Sequence, residues 1–135
     1  MTDKELLALA VKATEGSYSP YSGCKVGAAL LCKSGRVFTG ANIENAAFSP
    51  TICAERVAIF KAVSEGEGEF IKIAVVGGKN GVIEGIFAPC GVCRQVMREF
   101  CNDDFEIILG KSENDFDKVT LKELLPLSFS PDNVR

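Results

Sequence analysis

The stretch FIKIAVVGG, residues 70–78, most narrows the folds open to this chain. Ile71, Ile73, Ala74, Val75 and Val76 follow one another with a single polar interruption. Such a run suits a strand covered on both faces, because a strand with one wet face alternates apolar and polar residues. The rest of the chain must therefore supply helices to both sides of a sheet.

Those helices can be read from their ends. TDKELLALAVKATEG carries a Thr2 to Glu5 capping box, apolar Leu6, Leu9, Ala10 and Ala13 at helical spacing, and a stop at Gly16. The turn-rich SYSPYSG leads into the apolar strand CKVGAALLC, and Ser34-Gly35 turns the chain back into RVFTG, a hairpin. Residues 41–52 read as loop, followed by a helix from about Cys53 to Ser64 that ends at Gly66 and Gly68. After the buried strand come a loop from Lys79 to Ala88, a helix in PCGVCRQVMREFC and a short strand in FEIILG. KVTLKELLP then reads as a strand end and a brief helix before the tail. This order predicts a single α/β domain over residues 1–135, a three-layer α/β/α sandwich. Its mixed central sheet is expected to be antiparallel at one side and parallel where helices cross over.

Charge and hydropathy exclude several partners. Fifteen Lys and Arg stand against 18 Asp and Glu, scattered along the chain, so the basic footprint that long nucleic acid requires is missing. The acidic, helical N-terminus lacks a signal-peptide pattern, and no apolar run reaches membrane-spanning length. A cytoplasmic protein is expected.

In a reducing compartment, the six cysteines (Cys24, Cys32, Cys53, Cys90, Cys93 and Cys101) favour metal binding or catalysis over a disulfide framework. The chain has no histidine, so neither a metal ligand nor a general base can be imidazole. Cys53 and the pair Cys90 and Cys93 each stand at a predicted helix start, where the helix dipole favours the thiolate. Two such starts facing each other make a three-thiolate site, and three protein ligands on tetrahedral zinc leave one position open, the catalytic pattern. Glu55 stands where it can act on a water as proton shuttle. Zinc with three thiolates carries a net negative charge, which Arg56 can offset by donating to sulfur. Each residue has a plainer reading. CGVC can be a redox dithiol or half of a structural zinc site, with Cys24, Cys32 or Cys101 as a fourth ligand. Cys32 and Cys101 can equally be small buried side chains, Glu55 an acid complementing the helix dipole, and Arg56 a surface residue.

The pattern Cys-Ala-Glu followed by Pro-Cys-x-x-Cys resembles the zinc nucleoside and nucleobase deaminases. YSPYSGCKVGAAL, GANIENAAF, TICAERVAIFKAV and APCGVCRQVMREF together resemble the small homotetrameric bacterial cytidine deaminases over nearly the whole chain. The resemblance implies zinc on Cys53, Cys90 and Cys93, one ion per subunit, and proton transfer by Glu55 during hydrolysis of cytidine or deoxycytidine at C4. It implies that Asn42 and Glu44 bind the ribose, that the Ala54 amide and the Ala88 carbonyl hold the pyrimidine, and that Phe129 reaches into a neighbouring subunit's site. Cys24 departs from the family, which usually has Phe there. The change removes a ring expected beside the base and adds a thiol open to metal binding or oxidation. Alternatives of other kinds are a blasticidin S-type antibiotic deaminase of the same fold, a zinc-stabilised binding module without catalysis, and an enzyme acting on polynucleotides.

Overall fold

The computed structural model describes residues 1–135. Helix α1, Asp3–Ala13, starts at Thr2, whose side chain accepts from the Glu5 N–H while the Glu5 carboxylate accepts from the Thr2 N–H, the expected capping box. A 3₁₀ turn, Thr14–Gly16, continues it. Strands β1, Cys24–Cys32, and β2, Val37–Ala41, form the hairpin. Helix α2 is Ala54–Ser64, strand β3 Phe70–Lys79, helix α3 Gly91–Phe100 and strand β4 Glu106–Gly110. Strand β5, Phe116–Thr120, and the short helix α4, Leu121–Leu124, precede a C-terminal segment with a 3₁₀ turn at Pro131–Asn133.

The sheet runs β2-β1-β3-β4-β5. β1 is antiparallel to both β2 and β3, so β2 and β3 point the same way, and β3 is parallel to β4. The two helical connections, β2-α2-β3 and β3-α3-β4, therefore join parallel strands and step across the sheet in the same direction. Crossovers of one hand that step in one direction put their helices on one face. Ala54, Ala58, Ile59 and Ala62 of α2 and Met97 of α3 accordingly share a core with Ile73, Val75, Ile107 and Leu109. On the opposite face Leu6, Leu7 and Ala10 of α1 pack against Ala29, Ala74, Val76 and Ile108. The apolar run in β3 is thus divided, Ile73 and Val75 to one layer, Ala74 and Val76 to the other, as a doubly covered strand requires.

One expectation about the sheet is corrected. Antiparallel pairing occurs at both edges, because β5 starts at Phe116 and pairs along β4 from Gly110↔Phe116 to Glu106↔Thr120. The strand is hard to see in the sequence because FDKVT is short and exposed at its centre, which leaves little apolar alternation.

The topology brings two helix starts together. Each of α2 and α3 begins after the carboxyl end of its strand, and β2 and β3 point the same way, so both N-termini lie at one edge of the sheet, where open α/β sheets place their sites. Gly40 lets α2 come close enough. A Cβ there would lie 2.5 Å from the Ala54 carbonyl oxygen and 2.6 Å from the Ala58 nitrogen, both backbone atoms that cannot swing aside. Gly40→Ala is expected to lower the denaturant midpoint by an amount equal to about 1–3 kcal/mol, the usual range for overpacking, with the slope of the transition unchanged.

Candidate metal centre and active site

Cys53 is the N-cap of α2 and Cys90 the N-cap of α3, both with extended backbones. Neither sulfur caps its own helix by a hydrogen bond, so both are free to point across the gap. Counting from each cap, Arg56 and Cys93 occupy the same third helical position, which folds back over the N-cap. This places the Cys93 sulfur 3.5 Å from that of Cys90, and an Arg56 Nη donor 3.4 Å from the Cys53 sulfur. The Cys53 and Cys90 sulfurs are 3.7 Å apart, and all three lie within 4.8 Å of one another.

The donor set can be tested against zinc directly. A tetrahedral zinc with Zn–S bonds of about 2.3 Å separates its sulfurs by about 3.8 Å, close to the two spacings seen. The cluster contains these three cysteines and no fourth protein donor. Cys24 lies outside it, as do Cys32 and Cys101, whose thiols burial pushes up to about 11 and about 12. Cys32 packs in the core and Cys101 against it, small apolar side chains in effect.

Charge is organised around the sulfurs. The nearby Cys93 thiol holds the Cys53 thiol down at about 5, with Arg56 helping, whereas Cys53 and burial raise Cys93. The sulfur favoured as thiolate is thus that of Cys53, the one Arg56 touches. A cation that reaches the sulfurs must displace the proton that Cys93 retains.

Glu55 lies beside this cluster and is only 3 % exposed. Burial pushes its carboxyl up to about 7, and the nearby Cys53 charge adds to the rise. Its Oε1 is buried without a hydrogen-bond partner. A carboxyl that titrates near neutrality with an unclaimed oxygen beside a metal-binding cluster has the properties of a proton shuttle. It does not have those of an exposed acid that merely complements a helix dipole. Arg56 is likewise no ordinary surface residue, since its head donates to sulfur and its Nε is buried.

The remaining expected residues fall into two groups. Asn42 and Glu44 knit the segment before β1. The Asn42 Oδ1 accepts from the Val26 N–H and the Ser17 hydroxyl, and its Nδ2 donates to the Cys24 carbonyl. The Glu44 carboxylate accepts from the Tyr21 and Ser22 N–H groups and the Ser22 hydroxyl, and that hydroxyl holds it below its ordinary range. Sequence reasoning passed over this bracing role, since polar loop residues carry no signal of their partners. Ala54 is the first residue of α2, where an N–H has no helical acceptor, while Ala88 is exposed two residues before Cys90. Phe129 is 62 % exposed, so it does not anchor the tail in this chain's own core.

Two further side chains, also passed over, hold the Cys90 loop. The Phe87 ring lies directly on Gly77, where any Cβ would collide with it. Arg94 donates from Nε to the Pro89 carbonyl, 2.8 Å away.

The family model described as the cytidine and deoxycytidylate deaminase zinc-binding region matches residues 1–109. A cytidine deaminase of Halalkalibacterium halodurans is 46% identical over 134 residues, 99% of this chain and 98% of that protein. One from Sporosarcina psychrophila is 45% identical over 99% of this chain and 96% of its own length. The crystal structure of cytidine deaminase from Burkholderia pseudomallei superposes with a TM-score of 0.88 at 44% identity, covering 96% of this chain and all (100%) of that one.

Arg56→Gln removes the charge that offsets the thiolates while keeping a donor. It is expected to weaken zinc retention about tenfold, the lower end for loss of a ligand-supporting group, as measured by competition with a chelator. Retention equal to the wild type would reduce Arg56 to packing.

Proposed function

The chain belongs to the cytidine and deoxycytidylate deaminase family, and from that premise we propose that it hydrolyses cytidine and deoxycytidine to uridine and deoxyuridine, releasing ammonia, in pyrimidine salvage. The observation that carries the reading is the convergence of three cysteine sulfurs beside a buried carboxylate with an unclaimed oxygen.

Cys53, Cys90 and Cys93 are the residues that hold the metal. When bound, zinc supplies a Lewis acid that makes water a nucleophile near neutral pH. Glu55 takes the proton from the attacking water, delivers it to ring N3 as C4 becomes tetrahedral, and then moves the proton of the new C4 hydroxyl to the departing amine, so that the C4 carbonyl forms as ammonia leaves. Its burial keeps its affinity for the proton close to the working pH, which suits a group that must both accept and return it. Arg56 keeps the cluster from accumulating uncompensated negative charge. The Ala54 N–H and the Ala88 carbonyl orient the pyrimidine, and Asn42 and Glu44 face the ribose. Glu44 does so from a loop that its own carboxylate has already stiffened, which lowers the ordering cost of binding.

The protein acts in the cytoplasm as a homotetramer in which Phe129 completes a neighbouring subunit's site. In one chain Phe129, Phe48 and Leu127 stand exposed at 62%, 88% and 107%, and Cys90 is open to solvent, features that an adjacent copy would cover. No helix is long and apolar enough to cross a membrane.

The test is the fall in ultraviolet absorbance when zinc-loaded protein meets cytidine. Glu55→Gln is expected to retain zinc and lose kcat by about 10²–10⁴-fold, the contribution of a positioned acid–base group. Full activity in that variant would overturn the shuttle. Turnover of blasticidin S in preference to cytidine would overturn the substrate while leaving the metal site.

A further inference from the structure

Arg94 sits one position beyond Cys93 in α3, and helical side chains lean back toward the N-terminus of their helix. Its guanidinium thereby spans two carbonyls from distant parts of the chain. Nε donates to Pro89 at 2.8 Å, and Nη1 donates to Leu124 at 2.9 Å. Pro89 is fully buried and immediately precedes Cys90. Its carbonyl belongs to the rigid peptide plane that ends on the Cys90 nitrogen, so fixing that oxygen fixes where the Cys90 side chain begins. Leu124 is the last residue of α4, whose terminal carbonyls have no partner within the helix. The next side chain, Gln95, donates from Nε2 to the Phe129 carbonyl at 2.9 Å. Two consecutive residues of α3 therefore hold the start and the middle of the C-terminal segment, and one of them also holds the peptide that leads into a metal ligand.

We propose that Arg94 is a positioning residue that couples the Cys90 ligand to the C-terminal segment carrying Phe129. Loss of this one side chain loosens the metal ligand and the segment together, whereas loss of the Gln95 tie loosens the segment alone. Only arginine suits the place, because its planar fork offers separate donors to two acceptors in fixed directions, whereas a lysine ammonium reaches one carbonyl at a time. In the proposed tetramer the same link passes from one subunit's metal to its neighbour's substrate pocket. That extension rests on the oligomeric reading given above; the coupling within one chain does not.

The experiment uses the zinc-loaded protein and needs no deaminase assay, so its failure is distinct from failure of the proposed activity. Zinc loss to a chelator is timed, and cleavage within residues 125–135 by a nonspecific protease is followed in parallel. Arg94→Gln is expected to speed zinc loss about tenfold, as removal of a group supporting a ligand typically does, and to speed cleavage of the segment. Gln95→Ala, which cuts only the tie to Phe129, is expected to speed cleavage while zinc loss stays at the wild-type rate. Arg94→Lys is expected to fall between Arg94→Gln and the wild type in both readouts, and it carries the test if Arg94→Gln does not fold. Wild-type zinc retention in folded Arg94→Gln or Arg94→Lys would overturn the proposal. So would faster zinc loss with unchanged cleavage, which would leave Arg94 supporting the ligand without any coupling.

Discussion

Everything at the site depends on β2 and β3 pointing the same way, although β1 lies between them. Because they do, α2 and α3 start at one edge of the sheet, and the Cys53 sulfur meets those of Cys90 and Cys93, from a distant part of the chain, within 4.8 Å. The cores on the two faces serve this arrangement. The apolar face of β3 seats α2 and α3, and the opposite face is closed by α1. Gly40 sets how deeply α2 settles, and hence where Cys53 and Glu55 stand.

The second constraint is charge. Three thiolates in a partly buried place repel one another and raise the affinity of each for protons. The protein counters this with two helix N-termini aimed at the sulfurs and with Arg56 at 3.4 Å from Cys53. Glu55 receives the opposite treatment. It is buried with an oxygen left unpaired, so its proton is held near neutrality. A cysteine favoured as thiolate, Cys53, and a carboxyl that titrates, Glu55, thus stand two residues apart at the same helix start.

Much of this is legible in the sequence, for definite reasons. The strand CKVGAALLC has the bounds its apolar run suggests, Cys24–Cys32, and the Thr2 to Glu5 capping box forms as written. Both features are local. The metal cluster is legible because metal chemistry limits which residues can serve and the helix signals say where they stand. What escapes are contacts between distant segments whose residues carry no mark of their partners. Asn42 reads as a loop residue, yet it is bonded to Ser17, Cys24 and Val26. Arg94 reads as a helix charge, yet it holds the carbonyls of Pro89 and Leu124. β5 escapes because its pairing with β4, and not its own weak alternation, makes it a strand.

The central claim, that three cysteines and no fourth protein group hold the metal, is tested most directly by X-ray absorption at the zinc edge of the purified protein, together with metal analysis. The account expects one zinc per chain with three sulfur neighbours at about 2.3 Å. A shell of four sulfurs would make the site structural and closed, and a protein that takes up no zinc would remove the chemistry altogether.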